Sequence, residues 1–335
     1  MAKSNRVQGL DCSASAEKMI RLVLSAQLNA MCKHRKKALD WKDPEGVHDM
    51  RVLSRRLRSS MSDFKPYLRK AIFPRVKLSK LADSLGDVRD EDVALAALEE
   101  LKVRARDVAA EGIEMLADES RKRRKQARAA LESGIRKPVV DDFRKQFRDG
   151  LRTVTLIVPK KGRRKKAATP ALTFKSVGVE IIKARLKEFS TASSHLYFPF
   201  EIKELHELRI LAKRLRYAVE LFATCWGEDL EAIAKEIALL QTSLGELHDC
   251  DVWIDSLGTR LRQTARKRNA DRDDLKLREG AAWLLKHFAR ERIEHYRDAL
   301  ARWQQWQADG FLADVVLVLD RELLPENPQQ KFTSN

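Results

Sequence analysis

Cysteine is scarce and scattered in this chain. Only Cys12, Cys32, Cys225 and Cys250 occur in 335 residues, and none forms a CxxC pair. That spacing suggests neither a zinc site nor a disulfide framework, so the expectation is buried free thiols in a reducing compartment. Turn formers are also few: 13 Gly and 9 Pro argue against the many tight turns of an all-β fold. No stretch approaches the roughly 18 apolar residues that a membrane-spanning helix needs, and the opening Met1-Ala2-Lys3-Ser4-Asn5-Arg6 lacks an apolar signal core. A soluble, cytoplasmic protein with no membrane partner is expected.

What the chain has in quantity is charge, mostly of one sign. Lys and Arg number 66 against 49 Asp and Glu, a net charge of +17. A field of that sign concentrates polyanions at the surface, whether nucleic acid, anionic lipid or a phosphate polymer. With 44% hydrophobic and 34% charged residues, the composition fits long amphipathic helices and an all-α fold.

Two motifs occur twice. His48-x-x-Arg51-x-x-x-Arg55-Arg56-Leu57-Arg58 returns as His206-x-x-Arg209-x-x-x-Lys213-Arg214-Leu215-Arg216, with His48 and His206 158 positions apart. Leu85-Gly86-Asp87-Val88-Arg89-Asp90-Glu91-Asp92-Val93 returns as Leu244-Gly245-Glu246-Leu247-His248-Asp249-Cys250-Asp251-Val252, offset by 159. Two spaced motifs kept in register across half a chain indicate a duplicated structural unit.

Helical spacing supports this division. Ile20, Val23, Leu24, Leu28 and Met31 mark a helix from Ala16 to about Leu39, and Val177, Ile181, Ile182, Leu186 and Phe189 mark its counterpart. Motif helices follow over about 46–68 and 202–225, then a third helix in each half, ending near Gly86 or Gly245, then long helical patterns. Each half thus reads as four or more helices, the size of one antiparallel bundle. The expected organisation is a first bundle over 1–158, a basic linker over 159–170 and a second bundle over 171–335. The linker carries six cations and a proline at each end. A separate basic run, Arg121-Lys122-Arg123-Arg124-Lys125, reads as a solvated helix face.

At about 100° per residue, His48, Arg51, Arg55 and Arg58 share one helix face, opposite Met50, Leu53, Leu57, Met61 and Phe64. His206, Arg209, Lys213 and Arg216 repeat the stripe, backed by Leu208, Leu211, Leu215, Val219 and Phe222. An ordinary exposed face would intersperse acids to avoid repulsion between like charges. Neither stripe contains one, and such local conflict tends to sit where a protein functions. Five of the six cations are Arg, whose planar fork holds two phosphate oxygens at once. The histidines read as hydrogen-bond donors that become cationic beside a polyanion.

The second motif has a plainer reading. Gly86 and Gly245 would end one helix while Asp90 and Asp249 cap the next, with ion pairs to Arg56 or Arg214. No nucleophile, phosphate loop or metal-ligand spacing accompanies these acids, so no catalytic residue, metal or cofactor is assigned.

Taken together, the duplicated His-Arg and Leu-Gly-x-x-(Arg/His)-Asp-x-Asp-Val motifs resemble the CHAD family, the conserved histidine α-helical domain, from about residue 14 to 320. The resemblance implies two four-helix bundles related by pseudo-twofold symmetry, with a basic groove or pore between them that binds inorganic polyphosphate. It implies a stand-alone, non-catalytic binder associated with polyphosphate granules. Its basic surface falls on His48, Arg51, Arg55, Arg58, His206, Arg209, Lys213 and Arg216, with Arg21, Arg35, Arg56, Lys77, Lys80 and Arg214 as secondary candidates. The second half lacks the Lys33-His34-Arg35-Lys36-Lys37 cluster of the first, so unequal walls are expected. Nucleic acid is the weaker partner, since aromatics are only 7% and no zinc-finger, RRM or basic-zipper pattern occurs. A metal-dependent phosphohydrolase, suggested by His48-Asp49 and His248-Asp249, ranks lower because Glu207 follows His206.

Overall fold

The computed structural model describes residues 7–69, 72–156, 172–266 and 271–321; the 159–170 linker and residues 1–6 lie outside them. In the first half the helices are α1 (Ala16–Lys33), a single turn α2 (Arg35–Ala38), α3 (Pro44–Asp63), α4 (Arg75–Arg104), α5 (Asp107–Gly134) and α6 (Lys137–Arg152). The second half supplies α7 (Phe174–Ala192), α8 (Ile202–Phe222), α9 (Glu228–Ala265), α10 (Arg272–Asp309) and α11 (Phe311–Arg321). A two-residue antiparallel ribbon, β1 (Leu68–Arg69) with β2 (Thr155–Leu156), pairs Leu68 with Leu156. The fold is all-α apart from that ribbon.

Local chemistry sets several boundaries. Asp43 caps α3 by accepting the Glu45 N–H at 3.0 Å, and Pro44 occupies the first turn, where its missing N–H costs nothing. Thr173 caps α7 through Ser176 N–H, and Asp271 caps α10 through Asp274 N–H. The expected first helix is broken: α1 stops at Lys33, and α2 restarts as a short turn packed on α3. Gly46 makes that packing possible, because a Cβ there would lie 2.1 Å from the Lys37 carbonyl oxygen.

Gly86 and Gly245 do not end helices. Both lie inside long ones, α4 and α9. A helical Gly costs about 1 kcal/mol relative to Ala. Here a buried stripe from Leu78 and Leu85 through Val88 to Leu95 and Leu98 carries α4 across it. Asp90 and Asp249 are accordingly mid-helix residues, not caps.

The buried residues form two clusters, and each draws on both halves. The larger joins Leu24 and Leu28 of α1, Leu57 of α3 and Phe147 of α6 to Ile182 of α7, Leu215 of α8 and Leu240 of α9. Phe64, Phe174 and Phe222 meet inside it, with ring centroids 4.7 to 6.3 Å apart. The smaller packs Leu95, Leu98, Ile113 and Leu116 of α4 and α5 against Leu257, Leu284 and Phe288 of α9 and α10. There α5 crosses α10 backbone to backbone: a Cβ on Gly112 would lie 1.9 Å from the Lys276 carbonyl oxygen, and one on Gly280 2.6 Å from the Gly112 carbonyl carbon.

A disulfide joins Cys12 to Cys225, across 213 residues. This corrects the expectation of four free thiols and pulls against a reducing compartment. Spacing gave no hint, because the pair is made by tertiary folding: Cys12 lies beside the start of α7, its carbonyl accepting from Lys175 N–H, and Cys225 follows α8. Cys32 and Cys250 remain free, and burial pushes the Cys250 thiol up to about 12.

Candidate functional site

The motif helices α3 and α8 pack against each other across the two halves. Their apolar backs are inside, with Met50, Leu57, Met61, Phe64, Leu208, Leu215, Val219 and Phe222 buried, while Leu53 and Leu211 are partly covered. This leaves the cationic stripes facing one cavity of about 620 Å3. Arg51, Arg55 and Arg58 enter it from α3, and Arg209, Lys213 and Arg214 from α8.

Acidic groups also line it, a feature hidden from the stripe positions alone. Asp83, Asp87 and Asp90 come from α4, and Asp63 from the end of α3. Asp90 Oδ1 accepts from Arg51 Nη2 at 3.2 Å, and Asp249 stands 3.7 Å from Arg209 in the equivalent place. These replace the expected pairs with Arg56 and Arg214. The two motif glycines belong to the same arrangement: the Cβ each lacks would touch Nε of Arg51 over Gly86 and of Arg209 over Gly245, both at 3.8 Å. A larger side chain would push the guanidinium off the helix surface.

Asp63 is occupied by Arg185, at 2.7 Å. Arg55 and Lys213 make no ion pair or hydrogen bond among the described residues. Burial depresses Arg55 and Arg209 below the usual guanidinium range. Lys213 is pushed down to about 7 by burial and then by Arg55, Arg209 and Arg51. Three cations from two helices therefore crowd one partly desolvated space.

The remaining stripe members do not line this cavity. Burial, and then Arg89, lower the His48 pKa. His206 turns to His248 of α9, with Nδ1 atoms 3.1 Å apart and ring centroids at 4.2 Å. Arg216 lies over Tyr217 and 3.5 Å from Glu220. Of the secondary candidates, only Arg214 reaches the cavity. Arg56 donates to Glu220 at 3.1 Å and lines a separate space of about 450 Å3 with Lys33, His34 and Gln27. Arg21 pairs with Glu17 and donates to the Val154 carbonyl; Arg35 donates to the Ile135 carbonyl; Lys77 pairs with Asp142. Lys80 is exposed elsewhere on α4.

The CHAD domain family model matches residues 22–258. This chain belongs to the CHAD domain family. The crystal structure of the CHAD domain from the plant Ricinus communis resembles it with a TM-score of 0.64 at 20% identity, covering 88% of this chain and 95% of that one. PptA from Streptomyces chartreusis gives a TM-score of 0.63 at 15% identity, covering 87% of this chain and 100% of that one. Likeness at these identities concerns the fold. No curated protein matches this chain in sequence.

For this CHAD chain the sequence motifs missed Tyr217, Ser59 and Ser62, which complete the cavity wall. Tyr217 sits one turn beyond Lys213 on the same face of α8, where an uncharged ring falls outside a motif defined by cations. Among the described residues, no three His, Cys, Asp or Glu side chains stand where they could hold a metal ion, and no helix is long and apolar enough to cross a membrane.

Proposed function

We propose that the cavity between α3 and α8 binds inorganic polyphosphate. The observation that carries this reading is that Arg55 and Lys213 face one cavity from the two halves and make no ion pair among the described residues. Bringing a chain of phosphates between them replaces like-charge repulsion by charge-assisted hydrogen bonds, which are about twice as strong as neutral ones. Arg51, Arg58, Arg209 and Arg214 extend the contact along the chain. His48, His206 and Arg216 act from behind, positioning the helices that carry these cations. The role proposed is binding without catalysis, in association with polyphosphate granules, as membership of this family suggests.

Nucleic acid remains the weaker reading. A duplex carries its phosphates on a broad convex surface, whereas these cations line a concave space suited to a narrow, flexible chain. Titrating long-chain polyphosphate against duplex DNA at physiological salt tests the choice. Preferential binding of polyphosphate, lost when Arg55 and Lys213 become Ala, is the expected result. Equal affinity for both polymers would sink the specific claim, and phosphate release on incubation would overturn the non-catalytic role.

A further inference from the structure

The duplication is unequal at one place outside the cavity. In the second half, Asp251 of α9 is met by Arg292 of α10, whose Nε donates at 2.5 Å while its Nη2 donates to the Pro199 carbonyl at 2.7 Å. That guanidinium is spent within the fold. In the first half the equivalent Asp92, only 4% exposed at its side chain, faces two arginines from α5. Arg124 Nε and Arg128 Nη2 reach the same oxygen, Oδ1, at 2.5 and 3.4 Å. Trp41 stands where the 158-residue offset places Pro199, and it offers a ring instead of a carbonyl: the Arg128 guanidinium lies 5.0 Å above it.

This leaves a cation surplus. Among the described residues Arg128 Nε and Asp92 Oδ2 are both buried without a hydrogen-bond partner, and burial together with Arg124 depresses the Arg128 pKa. Lys125, beside them, makes no ion pair among the described residues. These groups line a cleft of about 380 Å3 with Arg121, and Glu132 is the one carboxylate in its wall. Arg121 is committed to Glu99, Glu114 and Asp118. The basic run is therefore more than a solvated face: Arg121, Arg123 and Arg124 tie α5 to α4, while Lys125 and the outer N–H groups of Arg124 and Arg128 are left over.

We propose that this cleft between Trp41 and α5 is a second anion site, which takes phosphoryl groups at Arg124, Lys125 and Arg128. One carboxylate oxygen shared by two guanidinium forks leaves donors unused, and a phosphoryl group supplies several oxygens and more than one negative charge to meet them. The cation over Trp41 is held in place by the ring, so little ordering is needed when the anion arrives. The inference rests on the polyphosphate reading for its class of ligand and adds a second place of contact on the same molecule.

The test is calorimetric titration of the full chain with tripolyphosphate at low salt, with ATP run in parallel to tell a nucleotide's phosphates from the inorganic chain's. The unaltered chain is expected to show two sites, and the Arg55→Ala/Lys213→Ala chain one. Adding Lys125→Glu and Arg128→Gln to that chain is expected to weaken the remaining site by at least about tenfold. Lys125→Glu alone, at an exposed position, keeps the test decisive should the Arg128 change disturb folding. Loss of either ligand's binding on Lys125→Glu supports the site. If Arg55→Ala/Lys213→Ala abolishes all binding, or if Lys125→Glu changes nothing, the second site is overturned while the first stands. No binding by the unaltered chain overturns both.

Discussion

His206 and His248 place their Nδ1 atoms 3.1 Å apart, so one ring donates a proton and the other accepts it. His248 is pushed down to about 4, by burial and then by Arg209, His206 and Lys213. A histidine held below its unfolded value contributes stability that is present above about pH 6.5 and lost as pH falls toward 4. Thermal unfolding followed from pH 7 to pH 4 should show that loss. The same series on His248→Asn should show a shallower decline. The His48 pKa is also lowered, by burial and then by Arg89, which works against its becoming cationic beside a polyanion.

Lys213, at about 7, carries a pH sensitivity of its own. In the free protein it is half neutral near pH 7, and a polyanion restores its charge, so binding takes up a proton. Affinity should fall as pH rises from about 7 toward 10. Calorimetry in buffers of different ionisation enthalpy measures the uptake, and Lys213→Arg should remove it.

The same residue trades stability for binding. Its folded pKa lies below its unfolded value, so its charged form opposes folding below about pH 7 and the penalty fades as pH rises through 7 toward 10. Lys213→Met should raise the melting temperature at pH 6 while weakening polyphosphate binding. A lower melting temperature there would contradict the like-charge crowding.

Much of this was legible in the sequence, and the boundary of legibility has a physical cause. The residues expected at helical spacing on α1 and α7, from Ile20 to Met31 and from Val177 to Phe189, are all buried, because period alone assigns a helix its inner face. Gly86 and Gly245 misled because a glycine's local preference is the same at a helix end and at a place where another side chain crosses; only the position of Arg51 and Arg209 distinguishes the two. Arg35 and Lys77 looked like surface cations, but the partners that occupy them, the Ile135 carbonyl and Asp142, lie 100 and 65 residues away. The Cys12–Cys225 pair escaped for the same reason.

Reduction of that disulfide frees a loop of more than two hundred residues in the unfolded chain. The expected loss is about 2–5 kcal/mol, read as a lower denaturation midpoint with dithiothreitol or in Cys12→Ala/Cys225→Ala. Polyphosphate affinity should change little, since neither cysteine lines the cavity.

Where α5 crosses α10, Gly280→Ala places a methyl group against the opposing backbone. Overpacking of this kind costs about 1–3 kcal/mol, measurable by urea denaturation. Gly134→Ala, whose added Cβ meets nothing within 4 Å, is the matched control and should not destabilise.

The contact at Gly112 and Gly280 also fixes how the molecule meets its ligand. Two long helices in backbone contact and two shared cores join the halves at several places, which opposes a jaw-like opening. On the proposed reading, the chain that fits between the α3 and α8 cations is selected by its thickness. Association is then governed by how a polymer finds and enters a rigid slot, and little binding energy is diverted into rearranging the protein.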